Sequence, residues 1–227
     1  MINIVEKIDD LVSIKNVLIS VSDKSNLESL VNGLVGINPD IRIISTGGTY
    51  AAIREVLGTD KGGILKKVSE YTGQPETQGG LVKTLDFKIY LGLLTEKYNE
   101  YHSEDLKRTG AMHIDMVVVN LYPFEKTISE DNISVERARA NIDIGGPTMI
   151  RAASKNYLRV ACICDPFDYT KLIQELESNN GSLSLSTRFE LAKKAFHHTA
   201  AYDRCIADYL GKQAASGMKE SYSIVNS

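Results

Sequence analysis

VLISVSDKSNLESLVNGLVGINPDIRIISTGGTYAAIREVL, residues 17–57, contains the pattern that decides the fold. Val17 to Val21 is a short β-branched run that ends at Ser22 and Asp23. Ser25-x-x-Glu28 then has the form of a capping box, ahead of Leu27, Leu30, Val31, Leu34 and Val35 at helical spacing. Ile41 to Ser45 is a second apolar run, and Thr46-Gly47-Gly48-Thr49 leads from it into a helical pattern through Ala52, Ile53 and Val56. Strand, turn, helix, repeated in register, predicts right-handed parallel α/β units.

The same alternation continues outward. Ile64 to Val68 reads as a third strand, and residues 71–84, rich in glycine and polar groups, as a loop. Met116 to Leu121 is apolar apart from Asn120 near its end, as suits a central parallel strand covered on both faces, and Pro123 closes it. Arg159 to Cys164 forms another strand, ended by Asp165-Pro166. Ser184 to Leu210 reads as one long helix or two, with Phe189, Ala192, Phe196, Ile206 and Leu210 as candidate buried positions. The expected organisation is an N-terminal extension (1–14), one α/β domain of three layers (15–212) with a helical extension at its C-terminal end, and a polar tail (213–227).

Bulk composition narrows the function. The 227 residues are 43% hydrophobic and 24% charged, enough for a large core. A net charge of −3 gives no general attraction for nucleic acid or anionic lipid. Cys162, Cys164 and Cys205 do not make a disulfide framework, and the first sixteen residues, MINIVEKIDDLVSIKN, lack a long apolar stretch. The expected setting is a reducing, cytoplasmic one, with no membrane span. His102, His113, His197 and His198 show no metal spacing with the cysteines, so no metal and no cofactor are expected.

Four constellations carry chemistry. Ser22-Asp23-Lys24 and Thr46-Gly47-Gly48-Thr49 sit at the carboxyl ends of predicted parallel strands and open helices. Backbone N–H groups there can approach an anion, and hydroxyls with the Lys24 ammonium would complete a phosphate cradle. Each motif alone is equally well read as a turn or a cap. In GGLVKTL, Gly79 to Leu85, Lys83 is a point charge in a glycine-rich loop. Asn120 and Tyr122 follow the strongest strand. In NIDIGGPTMIRAASKN, Asn141 to Asn156, Asp143 precedes Gly145-Gly146, Pro147 suits a first helical position, and Arg151 and Lys155 share a helix face. Without a loop that folds back, Asp143 and Lys155 do not meet.

Taken in order, SVSDKSNL, STGGTYAAIRE, VSEYTGQPE, GGLVKTL, NLYPFEKT and NIDIGGPTMIRAASKN resemble the IMP cyclohydrolase domain of the bifunctional purine-synthesis protein. The likeness runs from about Lys15 to Leu210, TRFELAKKAFHHTAAYDRCIADYL included. The formylating domain has no counterpart, which reads as a free-standing cyclohydrolase or an isolated domain. The resemblance implies a methylglyoxal-synthase-like fold, a homodimer, and closure of FAICAR to IMP with loss of water. A separate AICAR formyltransferase would supply the substrate. It implies nucleotide binding by Ser22, Asp23, Lys24, Thr46, Gly47, Gly48, Thr49, Val82, Thr84, Val119, Asn120, Ile144 and Gly145. Its catalytic groups correspond to Lys83, Tyr122, Asp143 and Lys155, with Lys155 and Asp143 moving the proton and Lys83 and Tyr122 supporting the oxyanion.

The chain departs from the family at GLVKTLDFKIYLGL, Gly80 to Leu93. Leu81 replaces an arginine, and Asp86, Phe87 and Tyr90 stand where His, Pro and His are usual. Asp86 is expected to add negative charge near a site meant for an anion. Two other functions fit parts of the pattern: a nucleotide-binding regulatory module of the same fold, and a methylglyoxal-synthase-like lyase.

Overall fold

Continuously apolar strands demand cover on both faces, and the computed structural model supplies it. It describes residues 4–58, 63–75, 77–80, 82–214, 218 and 221–225. The strands are β1 (Val12–Ser13), β2 (Asn16–Val21), β3 (Arg42–Ser45), β4 (Leu65–Lys67), β5 (Met116–Asn120), β6 (Ala161–Ile163) and β7 (Ser182–Leu183). The helices are α1 (Leu27–Ile37), α2 (Gly47–Leu57), α3 (Val68–Thr72), α4 (Phe87–Leu94), α5 (Glu100–Thr109), α6 (Phe124–Ile128), α7 (Val135–Ala140), α8 (Gly145–Lys155), α9 (Tyr169–Ser178) and α10 (Leu185–Gly211). β4-β3-β2-β5-β6 form a parallel sheet, and β1 pairs with β7 in a separate antiparallel ribbon.

The period-2 alternation of each strand sorts its side chains between two cores. Val17, Ile19, Met116, Val118, Ala161 and Ile163 face a core closed by α1, α2 and α9. Leu18, Val117, Val119, Cys162 and Cys164 face the other, closed by α4, α8 and α10. The fold is therefore three-layer α/β. All three cysteines are free thiols, and burial pushes the Cys162 thiol up to about 12. Among the described residues, no helix is long and apolar enough to cross a membrane.

Local details differ from the sequence reading. α1 begins at Leu27 with Asn26 left-handed at its N-cap, so Ser25 and Glu28 make no capping box. The Ser25 amide instead donates to Asp23 Oδ1 at 2.8 Å, which tightens the turn and delays the helix. Pro147 is the third residue of α8, not the first. That place is tolerated because the early N–H groups of a helix have no intrahelical acceptor. Val68 opens α3 rather than ending β4, and residues 71–84 include a 3-10 turn at Gln78–Gly80. Leu81 lies outside the described residues.

α10 is one continuous helix, rotated from the expected face. It buries Arg188, Ala192, Ala195, Thr199 and Tyr202, while Phe189, Phe196 and Leu210 are exposed and Ile206 is half-buried. Arg188, fully buried, explains the rotation. Its Nε donates to Tyr157 O, Nη1 to Asp10 O and Leu183 O, and Nη2 to Asp9 O and Leu158 O. All five guanidinium donors thus meet backbone carbonyls. This one side chain ties α10 to the N-terminal segment, the approach to β6, and β7. Replacing Arg188 with Met should leave those carbonyls unpaired and destabilise the protein by about 3–5 kcal/mol in urea unfolding. A loss below about 1 kcal/mol would contradict the assignment.

Candidate active site at the carboxyl edge of the sheet

The strand order reverses direction between β2 and β5, so their carboxyl ends bound the crevice in which open α/β sheets bind ligands. Ser20 is opposite Val119, and Val21 is opposite Asn120. One side chain then fixes the crevice. Asn120 Oδ1 accepts from the Ser22 and Asp23 amides at 2.6 and 2.8 Å, and Asn120 Nδ2 donates to Asp23 O at 2.8 Å. Asn120 therefore shapes the Ser22–Lys24 loop. Thr49 performs the same service for α2. Its buried hydroxyl donates to Val21 O at 3.0 Å and accepts from Val21 N at 3.1 Å, which locks the helix against β2.

Two ammonium groups converge on the N-terminus of α2. A Cβ at Gly47 would lie 3.7 Å from Lys83 Nζ, and one at Gly48 would lie 3.9 Å from Lys24 Nζ. Gly47 has φ +46°, a left-handed conformation that glycine adopts without strain. Lys83 reaches this point by lying across Gly80, where a Cβ would sit 2.0 Å from Lys83 Cε. Thr46 completes the rim, with its hydroxyl 3.1 Å from Ser20 Oγ. The N-terminus of an 11-residue helix beside two ammoniums favours an anion.

The second half of the site is the N-terminus of α8. Asp143 Oδ1 accepts from the Gly146 amide at 2.9 Å, and the Asp143 amide donates to Tyr202 Oη at 2.8 Å. Burial raises the Asp143 carboxyl above the usual aspartate range, opposed by the amides of Gly146, Tyr122 and Gly145. A carboxylate held this way is a stronger base than one in water. The Val82–Thr84 turn joins the two halves. Lys83 faces α2, whereas the buried Thr84 hydroxyl would stand 2.7 Å from a Cβ on Gly145. Tyr122, Ile144 and Val82 are exposed around the opening, and Val119 is buried in the strand.

Lys155 stands apart from these groups. It is the last residue of α8, about 15 Å along the axis from Gly145 at 1.5 Å per residue. The loop does not fold back. Next to it, Asn156 donates to Leu93 O and Thr95 O, and Arg159 pairs with Asp115 ahead of β5, which places this end of α8 at the opposite edge of the sheet. The direct partnership of Lys155 with Asp143 is not present in the chain.

The unusual segment after Lys83 also reads differently in three dimensions. Asp86 is buried as the N-cap of α4, its Oδ1 accepting from the Lys88 amide at 2.7 Å. Its carboxylate serves that helix. Phe87 is exposed, and burial, together with the Asp143 charge, pushes the Tyr90 hydroxyl up to about 12. Ser20, Tyr90 and Tyr202 also reach the site, although they lie in segments already quoted and none of them was given a binding or catalytic role there. Tyr202 comes from a helix 59 residues further along the chain. Among the described residues, no cluster of three His, Cys, Asp or Glu could hold a metal ion.

Comparison with known proteins bears on this geometry. The family described as the MGS-like domain matches residues 26–148, more than half of the chain. The chain belongs to the MGS-like domain family. Residues 153–226 match the family described as the AICARFT/IMPCHase bienzyme. The bifunctional purine biosynthesis protein PurH of Bacillus subtilis (strain 168) is 46% identical over 212 residues, 93% of this chain and 40% of that protein. The PurH of Ruminiclostridium cellulolyticum is 47% identical over 197 residues, 87% of this chain and 37% of that protein. The chain thus spans about two fifths of the length of these relatives. A crystal structure of ForH superposes with a TM-score of 0.72 at 32% identity, covering 88% of this chain and all of that one. The resemblance drawn from the ordered motifs agrees with these matches.

Asp143 yields a pH prediction. Because its folded-state pKa is raised, its protonation stabilises the fold at low pH, and that stability is lost as pH rises through the folded-state value. Asp143→Asn keeps the bond from Gly146 without the buried charge. Its melting temperature should equal or exceed the wild type at pH 7 and vary less between pH 4 and 7. A variant less stable at pH 7 and equally pH-dependent would contradict the burial argument.

Proposed function

We propose that this MGS-like domain is an IMP cyclohydrolase, closing FAICAR to IMP with release of water. The observation that carries the reading is the Val82–Thr84 turn, which joins a two-lysine anion cradle at α2 to a buried carboxylate at α8. In this proposal the nucleotide phosphate sits at Gly47–Gly48 between Lys24 and Lys83, and the base end lies against Asp143, Ile144 and Gly145. Ser22, Thr46 and Thr84 border the path between them, and Asn120 and Thr49 hold its walls.

Ring closure joins the carboxamide nitrogen to the formyl carbon. The nitrogen is a poor nucleophile, so restricting the two groups to contact supplies much of the acceleration. Asp143 takes the N–H proton as the C–N bond forms, and the formyl oxygen gains the electron pair. Tyr122 supports that oxygen, while Lys83, which faces α2, stays with the phosphate and does not take the oxyanion role that the resemblance gave it. The oxygen takes one proton through Tyr122 and a second as the formamido N–H is lost, so it departs as water while the C=N bond of the pyrimidinone ring forms. Lys155, at the far end of α8, is given no reacting atom. A homodimer, and a separate enzyme that formylates AICAR, belong to the same proposal.

An absorbance assay with FAICAR tests it. IMP should form with wild-type protein, and Asp143→Asn should lower kcat by about 10²- to 10⁴-fold. Lys24→Gln should raise KM roughly 10- to 100-fold with kcat little changed, as loss of a charged phosphate contact requires. No IMP with intact nucleotide binding would favour a regulatory module. Methylglyoxal formed from dihydroxyacetone phosphate would favour a lyase.

A further inference from the structure

Gly47, Tyr50, Ala51 and Arg54 recur at i, i+3, i+4 and i+7 along one face of α2, and this face lines a pocket of ≈ 270 Å³. The lining also includes Lys67, from the end of β4, and Lys83. The Arg54 guanidinium carbon stands 5.9 Å and the Lys67 ammonium 5.5 Å from the centroid of the Tyr50 ring. One aromatic ring thus has two cations within 6 Å of its centroid, each attracted to the ring. No carboxylate is among the described residues lining the pocket.

The pocket begins at the cradle and runs away from the reacting end. Thr46, Gly47 and Lys83 belong to both, whereas Asn120, Tyr122 and Asp143 do not line the pocket. Arg54 is seven residues along α2 from Gly47, about 10 Å at 1.5 Å per residue, and helical side chains lean back toward the N-terminus. A single phosphoryl group at Gly47–Gly48 does not extend to the Arg54–Lys67 end, where no carboxylate is among the described lining residues. A chain of phosphates continuing from the cradle would reach that end.

We propose that the Tyr50–Arg54–Lys67 pocket is a second anion subsite, which takes the distal phosphates of a nucleoside 5′-di- or triphosphate. This rests on the placement of the nucleotide phosphate at α2 in the functional reading above. Such a ligand would hold its first phosphate where the substrate phosphate sits and would compete with it. The domain would then sense polyphosphorylated nucleotides through the same cradle that binds its substrate.

Calorimetry with inorganic tripolyphosphate and orthophosphate, at about 0.15 M ionic strength to screen diffuse attraction, tests the subsite without requiring turnover. Wild-type protein should bind tripolyphosphate about tenfold or more tighter than orthophosphate. The double variant Arg54→Gln/Lys67→Gln should lose that preference while keeping its affinity for orthophosphate and its melting temperature. Lys66→Gln, an exposed neighbour outside the pocket, should leave the preference unchanged. In the FAICAR assay, ITP should inhibit wild type more strongly than IMP, and the double variant equally by both. Equal affinity of wild type for the two anions, or an equal effect of Lys66→Gln, would overturn the subsite. Absence of IMP formation with the tripolyphosphate preference intact would overturn the cyclohydrolase reading and leave the subsite standing.

Discussion

The pairing of β2 with β5, closed at its carboxyl end by the Asn120 carboxamide, is the constraint on which the rest of the site depends. Parallel pairing sets Val21 opposite Asn120, and the side-chain amide then replaces the backbone ladder where the two strands separate. Three hydrogen bonds from one side chain define the Ser22–Lys24 loop. Each is worth on the order of 1 kcal/mol net, modest in stability but decisive for geometry. Without them the loop has no reason to present Lys24 toward α2.

Two helix N-termini, α2 and α8, then lie on either side of this strand pair. The first meets two ammoniums and the second meets a carboxylate. Opposite electrostatic tasks are thereby separated within one crevice: an anion is drawn to α2, while a base is desolvated at α8. Tyr202 links this arrangement to α10, and Arg188 anchors the same helix to the N-terminal segment. The long C-terminal helix is accordingly part of the support for Asp143, not an appendage to the sheet.

Much of this was legible in the chain. Apolar runs at Val17–Val21 and Met116–Leu121 read as parallel strands because both faces are covered, and the ordered motifs fell at the carboxyl edge that parallel topology creates. The misreadings share a cause. Phe189, Phe196 and Leu210 were expected inside on hydrophobicity, but the face of α10 is chosen by Arg188, whose satisfaction depends on carbonyls up to 179 residues away. Asp86, read as a charge near an anion site, also caps α4, a local role that the reading did not assign. Ser25 and Pro147 obey capping preferences that nearby bonds of Asp23 and the two glycines shift by a few residues. Lys155 was linked to Asp143 by resemblance, while helix geometry sends it to the other edge of the sheet.

A crystal structure of the protein with IMP bound tests the central claim most directly. The account predicts the phosphate at Gly47–Gly48 between Lys24 and Lys83, with the purine at Asp143, Ile144 and Gly145. A nucleotide bound with its phosphate at α8, or wholly outside the β2–β5 crevice, would contradict it.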